Sequence, residues 1–376
     1  MRITAQLIDA RQDRHLWAES YNGEMTDILT LQNTVAESIA REVNAKLAPT
    51  RKDKPPRPIQ PAAYEAYLKG WHFWNKYTKE DWDKAIHYFQ ESIDADPQFA
   101  PAYVGLSDSY SMLNAYGLMP ATEVMPKAKA AAEKALALDN TLGEAHIALA
   151  NVRLSYDWDW NGAEQEFQKG LQLSPNYALG YHWHSNLLQV LGRQQEGIAE
   201  QQRAASLDPL SLIVNTNLCR AYLFAKQLDA AIQQCRKTLE LDPTFWVAST
   251  WLLQALYQKG ASREYLEESE RSFKASGDPK VADKRHKIIS AGGIDGLIRW
   301  EAQQDLKYAQ TEFVRDSILA RDYLALGDKE NALRCLEKAY EHRDFGMLLL
   351  ALRKEYDPLR SDPRYISIRR RMNLPD

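Results

Sequence analysis

The sequence predicts a mostly α protein: six to eight stacked helix pairs forming an α-α superhelix (an α-solenoid), with a small β-β-α fragment ahead of it. Three observations carry this. Leu173-Ser174-Pro175, Leu207-Asp208-Pro209 and Leu241-Asp242-Pro243 recur 34 residues apart. A fixed period of that size marks helix–turn–helix units that bury their apolar faces by stacking on one another. Steps of 4, 3 and 5 join Ala163, Phe167, Gly170 and Pro175, and the same steps recur from Ala85, Ala128, Gly197, Ala231 and Ala332; steps of 4 and 3 keep residues on one helix face. Finally, 45% hydrophobic and 26% charged residues is the composition of an ordinary globular chain.

Residues 2–9 alternate, with Ile3, Ala5 and Leu7 on one face and Thr4, Gln6 and Ile8 on the other, a strand pattern. A turn over Ala10–Arg14 leads to a second strand over His15–Tyr21, closed by Asn22-Gly23. From Thr26, apolar residues recur at helical spacing as Ile28, Leu31, Val35, Ile39, Val43 and Leu47. Residues 1–47 therefore read β-β-α, too little for an independent domain. The run Arg2 to Ala10, then His15-Leu16-Trp17-Ala18-Glu19, Asp27-Ile28 and Leu31-Gln32 resembles the end of the TolB-like amino-terminal domain. In many bacterial signalling proteins that domain precedes helical repeats and follows a winged-helix or adenylate cyclase domain. The resemblance implies missing strands before Ile3, hence an unpaired edge that either recruits a second copy as a homodimer or leaves residues 1–25 disordered. Residues 48–61 follow, with five Pro among Arg51, Lys52, Lys54 and Arg57, a semi-rigid basic linker.

Residues 62–344 carry the repeats. The second helix of each unit shows the 4-3-5 template, and its closing Pro, Asn140 or Asp344 turns the chain toward the next unit. Each first helix offers a small slot: Gly70, Ser107, Ala150, Ser185, Cys219 and Ala320, with Leu253 the exception in a unit over about 244–279. The second unit is longer by an insertion around Tyr116–Pro126. Residues 280–310 read as a degenerate pair split at Ala291-Gly292-Gly293, and the last clear pair lies near 312–343. These units resemble the tetratricopeptide repeat. Residues 345–376 are expected to cap the last apolar face with a short basic helix.

No motif for catalysis stands out: G-x-x-x-x-G-K-[ST], G-x-S-x-G and H-E-x-x-H are all missing, so the reading is not an enzyme, with no cofactor and no metal. His182-Trp183-His184 invites a metal, but residues two apart point about 200° apart on a helix. Trp158-Asp159-Trp160 suits packing between helices better than ligand binding. Cys219 and Cys235 are expected to be a reduced, buried pair, since three Cys argue against a disulfide framework and fit the cytoplasm. A net charge of −4 gives no case for nucleic acid, and no run reaches the ~18–20 apolar residues of a membrane span. Arg369-Arg370-Arg371 reads as part of a solvated cap.

The residue after each small slot is expected to face the concave side: Trp71, Asp108, Asn151, Asn186, Arg220, Gln254 and Arg321. Asn151, Asn186 and Arg220 come from consecutive units, and His182 lies one turn before Asn186. An Asn amide can bind a peptide backbone and Arg a carboxylate. The expected site is thus a peptide-binding groove of Asn151, His182, Asn186, Arg220 and Gln254, taking a protein segment with an acidic feature. Some tetratricopeptide proteins clamp a terminal carboxylate in their first units; Tyr67 and Trp71 depart from that pattern. The expected role is a non-catalytic interaction scaffold, the regulatory region of a bacterial signalling or transcription-regulatory protein. The alternative is the regulatory half of an adenylate cyclase-like enzyme or DNA-binding regulator with its output domain upstream.

Overall fold

The computed structural model describes residues 2–9, 14–22, 59–276 and 279–374. Strand β1 (Arg2–Asp9) pairs antiparallel with β2 (Arg14–Asn22), placing Ile3 opposite Tyr21 and Leu7 opposite Trp17, with an irregularity after Leu7. The helix expected after Thr26 and nearly all of the linker lie outside the described residues.

Helices then follow in pairs: α1 (Pro61–Trp74) with α2 (Lys79–Ala95), α3 (Ala100–Ala115) with α4 (Ala121–Leu138), α5 (Gly143–Val152) with α6 (Trp160–Leu173), α7 (Ala178–Val190) with α8 (Gln194–Leu207), α9 (Leu212–Phe224) with α10 (Leu228–Leu241), and α11 (Trp246–Lys259) with α12 (Ser262–Ser276). Helix α13 (Pro279–Tyr308) breaks at Gly293, whose φ of 61° no helix accommodates, and α14 (Asp316–Ala325) pairs with α15 (Lys329–Glu341). Two 3-10 turns, Phe345–Leu349 and Lys354–Leu359, lead to α16 (Pro363–Arg371).

The template residues do what their sizes require. Ala85, Phe89 and Ser92, and their counterparts in the other five units, are all buried. The helices approach closely at Phe89: a Cβ added to Gly70 would stand 2.6 Å from its ring, and one added to Gly105 closer still. Ser92 Oγ donates to Ala63 O at 2.6 Å and Ser185 Oγ to Gly197 O at 2.6 Å, so a small polar residue ties the two helices of a unit while satisfying itself. In three units an Asp at the end caps the turn: Asp96, Asp139 and Asp242 accept from the backbone N–H two residues on, at 3.1, 2.9 and 2.8 Å, the Asx-turn geometry that ends a helix and redirects the chain.

Three expectations are corrected here. The insertion in the second unit is a loop only over 116–120; α4 already begins at Ala121 and runs through Pro126, because burial of Val124, Met125 and Ala128 on one face offsets the one ladder hydrogen bond that a proline cannot donate. Cys219 and Cys235 are joined by a disulfide, their Cα atoms 5.3 Å apart, because both fill facing slots of one helix pair. The C-terminal segment does not merely cover the last unit. Met347, Leu348, Leu350, Tyr356, Leu359, Tyr365 and Ile368 are buried in the same cluster as Trp160, Ala163, Trp183 and Leu187, while Leu349 and Leu352 pack against the cluster around Cys219 and Trp251. The chain closes back onto its own middle units.

Candidate functional site

The inner-face residues are positioned by first helices. Two at the N-terminal end serve packing and a buried hydrogen bond. Trp71 lies edge-on to Trp74 and Phe89 at 5.2 and 5.5 Å. Asp108 is buried and accepts from Tyr177 Oη at 3.5 Å; burial pushes its carboxyl up to about 7, against the pull of that hydrogen bond.

The five residues expected to form a groove divide into two groups. His182, Asn186 and Arg220 line one cavity of about 250 Å³; Asn151 and Gln254 are not among its lining residues. All but Gln254 are buried rather than open to solvent; beside His182, Asn186 and Arg220 the face that an isolated superhelix would expose is covered by Phe345, Leu349 and Arg353 of the C-terminal segment. Asn186 Oδ1 accepts from Arg220 Nη2, a direct link between equivalent slots of adjacent units. His182 Nδ1 stands 3.3 Å from Gln201 Oε1. With the Gln201 amide nitrogen donating to Val214 O, that oxygen must accept, so His182 carries its proton on Nδ1. Burial, then the Arg220 charge, lower the imidazole to about 3, so His182 is neutral. The side-chain oxygen of Asn151 is buried without a hydrogen-bond partner.

Gln254 meets the C-terminal segment. Its Nε2 donates to Glu355 Oε1 and its Oε1 accepts from Arg353 Nη1 at 3.3 Å. Arg353 also donates to Glu355 at 2.9 Å, and Arg321 stands 3.9 Å from the same carboxylate. The Trp251 ring is near both cations, with the Arg220 and Arg353 guanidinium carbons 5.8 and 5.0 Å from its centroid. Burial pushes Arg220 and Arg353 down to about 10, with neighbouring arginines adding to the effect. Farther along, Trp160 Nε1 donates to Met372 O at 2.8 Å, and the Arg343 guanidinium sits over the Trp158 ring at 4.3 Å. Trp160 thus holds the C-terminal segment, and Trp158 the turn that leads into it.

Sequence reasoning missed Arg353, Glu355 and Arg315, because they lie outside the repeat template. A signal was present: Met347-Leu348-Leu349-Leu350-Ala351-Leu352 is too apolar for a solvated cap. Among the described residues, no group of three or more His, Cys, Asp or Glu is placed to hold a metal ion, and no helix is long and apolar enough to cross a membrane.

No family model matches the chain. Over 165 residues it is 27% identical to a Rhizobium meliloti (strain 1021) protein named "Putative adenylate cyclase 3". That match takes in 42% of this chain and 27% of the relative, so the chain spans about a quarter of the relative's length. Among solved structures, a monomeric mutant of IFIT1 aligns with a TM-score of 0.51 and 14% identity, over 93% of this chain and 78% of that one. The human IFIT1 dimer aligns at 0.50 and 16%, over 84% and 78%. A thermophilic TPR protein of Thermus thermophilus aligns along its whole length to 52% of this chain, at 18% identity and a TM-score of 0.43. At these identities the likeness extends to the fold: the chain is a helical-repeat protein, with TPR proteins among its structural neighbours.

Proposed function

We propose that this chain is a non-catalytic interaction scaffold, the regulatory, partner-binding region of a bacterial signalling or transcription-regulatory protein. Its partner is a protein segment with an acidic feature, received on the inner face around Asn151, His182, Asn186, Arg220 and Gln254. The observation that carries the reading is the handling of Glu355. An acidic side chain of the chain's own C-terminal segment already lies on this face, held by Gln254, Arg353 and Arg321. The chemistry that holds an internal carboxylate suits an external one. A partner segment would compete with Glu355 for these donors, and its affinity would fall as salt rises.

The test is capture of partners from a bacterial lysate by the native chain, by Asn151→Ala/Asn186→Ala/Arg220→Ala, and by Glu355→Gln, after matching their helicity and melting. Partners are expected to be lost from the triple variant and enriched on Glu355→Gln, which loosens the internal competitor. Equal capture by all three would move the site to another surface. A second reading rests on the resemblance of residues 1–47 to the TolB-like domain and on the adenylate cyclase relative: the chain regulates an output domain upstream, of cyclase or DNA-binding type. A reading frame with neither pattern before Met1 would remove it.

A further inference from the structure

The cavity of about 250 Å³ lies where the inner face meets the C-terminal segment, and its lining is unusual in charge. Arg220, Arg315, Arg321 and Arg353 all contribute to it, and no Asp or Glu does. From outside the lining, Glu355 meets Arg353 and Arg321. Asp344, the carboxylate that acts on Arg315, already accepts from the backbone N–H groups of Ser317 and Gly346 at 2.8 and 2.7 Å. Arg315 itself donates to Ala115 O at 3.1 Å. Arg220 is 8% exposed, is bonded to a neutral amide, and has an Nε with no hydrogen-bond partner. A buried guanidinium facing other guanidiniums, with donors left over, is costly unless an anion joins it.

Six aromatic residues add flat walls, Trp183, Trp246, Trp251, Tyr116, Tyr356 and Phe345, among other apolar and a few neutral polar side chains. Such walls accept a planar ring and the Arg cluster an oxyanion. The volume sits just under the ~300–1,000 Å³ usual for small-molecule sites, enough for a one-ring compound and too small for a folded peptide.

We propose that this cavity binds a small organic anion, a phosphate or carboxylate borne on a planar ring, with Arg220 and Arg353 as its principal charge partners and the aromatic walls around its ring. The site needs no partner protein, and the C-terminal segment forms part of it, so its failure leaves the scaffold reading standing.

Phenyl phosphate, benzoate and inorganic phosphate are the probes, read by thermal melting and titration calorimetry of the whole chain. The first two separate a phosphate from a carboxylate source; the third tests whether the ring matters. At least one ring-bearing anion is expected to raise the melting temperature in a concentration-dependent way and to bind at least about tenfold more tightly than inorganic phosphate. Arg353→Gln and Arg220→Gln should each weaken that binding by about tenfold or more. If either variant fails to fold, Thr250→Trp decides. Thr250 lines the cavity from an exposed helix position, so its enlargement should narrow the entrance and weaken binding without unfolding the chain. No binding of any probe by the native chain overturns the proposal. So does equal binding of inorganic phosphate and the ring-bearing anions, or binding unchanged in the folded variants.

Discussion

Two regions of the molecule are held by contacts of opposite range. Within the repeats, the ties join near neighbours: Ser185 Oγ to Gly197 O across 12 residues, Gln201 Nε2 to Val214 O across 13, Ser92 Oγ to Ala63 O across 29. From the last helix pair into the C-terminal segment they span the chain: Gln254 to Glu355 across 101 residues, Arg315 at the start of that pair to Ala115 across 200, Trp160 to Met372 across 212. Open repeat arrays behave as one-dimensional systems, each unit coupled mainly to its neighbours. Here the closing segment adds long-range coupling, so the middle units and the tail should lose structure together.

The largest effect that tests this is at Tyr356. Its side chain is 1% exposed and its hydroxyl donates to Ser317 O at 3.1 Å. Tyr356→Ala should cost about 3–5 kcal/mol in urea denaturation, as for other large aromatic truncations in a core. Native-state hydrogen exchange should then show protection lost in α6 and α7 as well as in the tail. Loss confined to residues 315–374 would mean that the array is coupled only locally.

A smaller effect probes the repeats themselves. Ala163 and Ala231 are fully buried in the second helices of two units, at the first position of the template. Ala163→Leu or Ala231→Leu should overpack the unit and cost ~1–3 kcal/mol. Denaturation midpoints unchanged in both variants would contradict the register.

The same contrast explains what was legible in the sequence. A repeated local contact writes a repeated residue, so Ala85, Phe89 and Ser92 announce their helix pair and its counterparts. The disulfide is half legible: the slots put Cys219 and Cys235 together, while the count of three Cys argues against a bond. The closure leaves no period. Glu355 occurs once, and its partners Gln254 and Arg353 lie far apart in the chain. For the site, the template therefore locates Asn186 and Arg220 but not what covers them, and residues expected in an open groove lie buried beneath a segment expected at the end of the array.

The smallest effect separates a residue held by repeats from one covered by the tail. Asp108, beside Tyr177 and Glu144, is raised from an ordinary 3.8 to about 7, chiefly by burial. Between those values the folded state keeps a proton the unfolded state has lost, so this group's contribution is full below 3.8 and disappears as pH rises through 7. His182, in the cavity beside Arg220 and Gln201, is lowered from 6.5 to about 3, again chiefly by burial. There the unfolded state holds the extra proton, so its contribution is full above 6.5 and disappears as pH falls through 3. Between 3.8 and 6.5 the two slopes oppose, each limited to ~1.4 kcal/mol per pH unit, and they largely cancel in the native chain. Asp108→Asn should make the pH slope of the urea midpoint across that window more positive than in the native chain, while Asp322, also raised to about 7, keeps its own opposing slope in every variant. His182→Gln should make it more negative. Midpoints with the same pH dependence in both variants would show that neither group is buried as described. If only the His182 slope is missing, the C-terminal segment does not cover the inner face in solution.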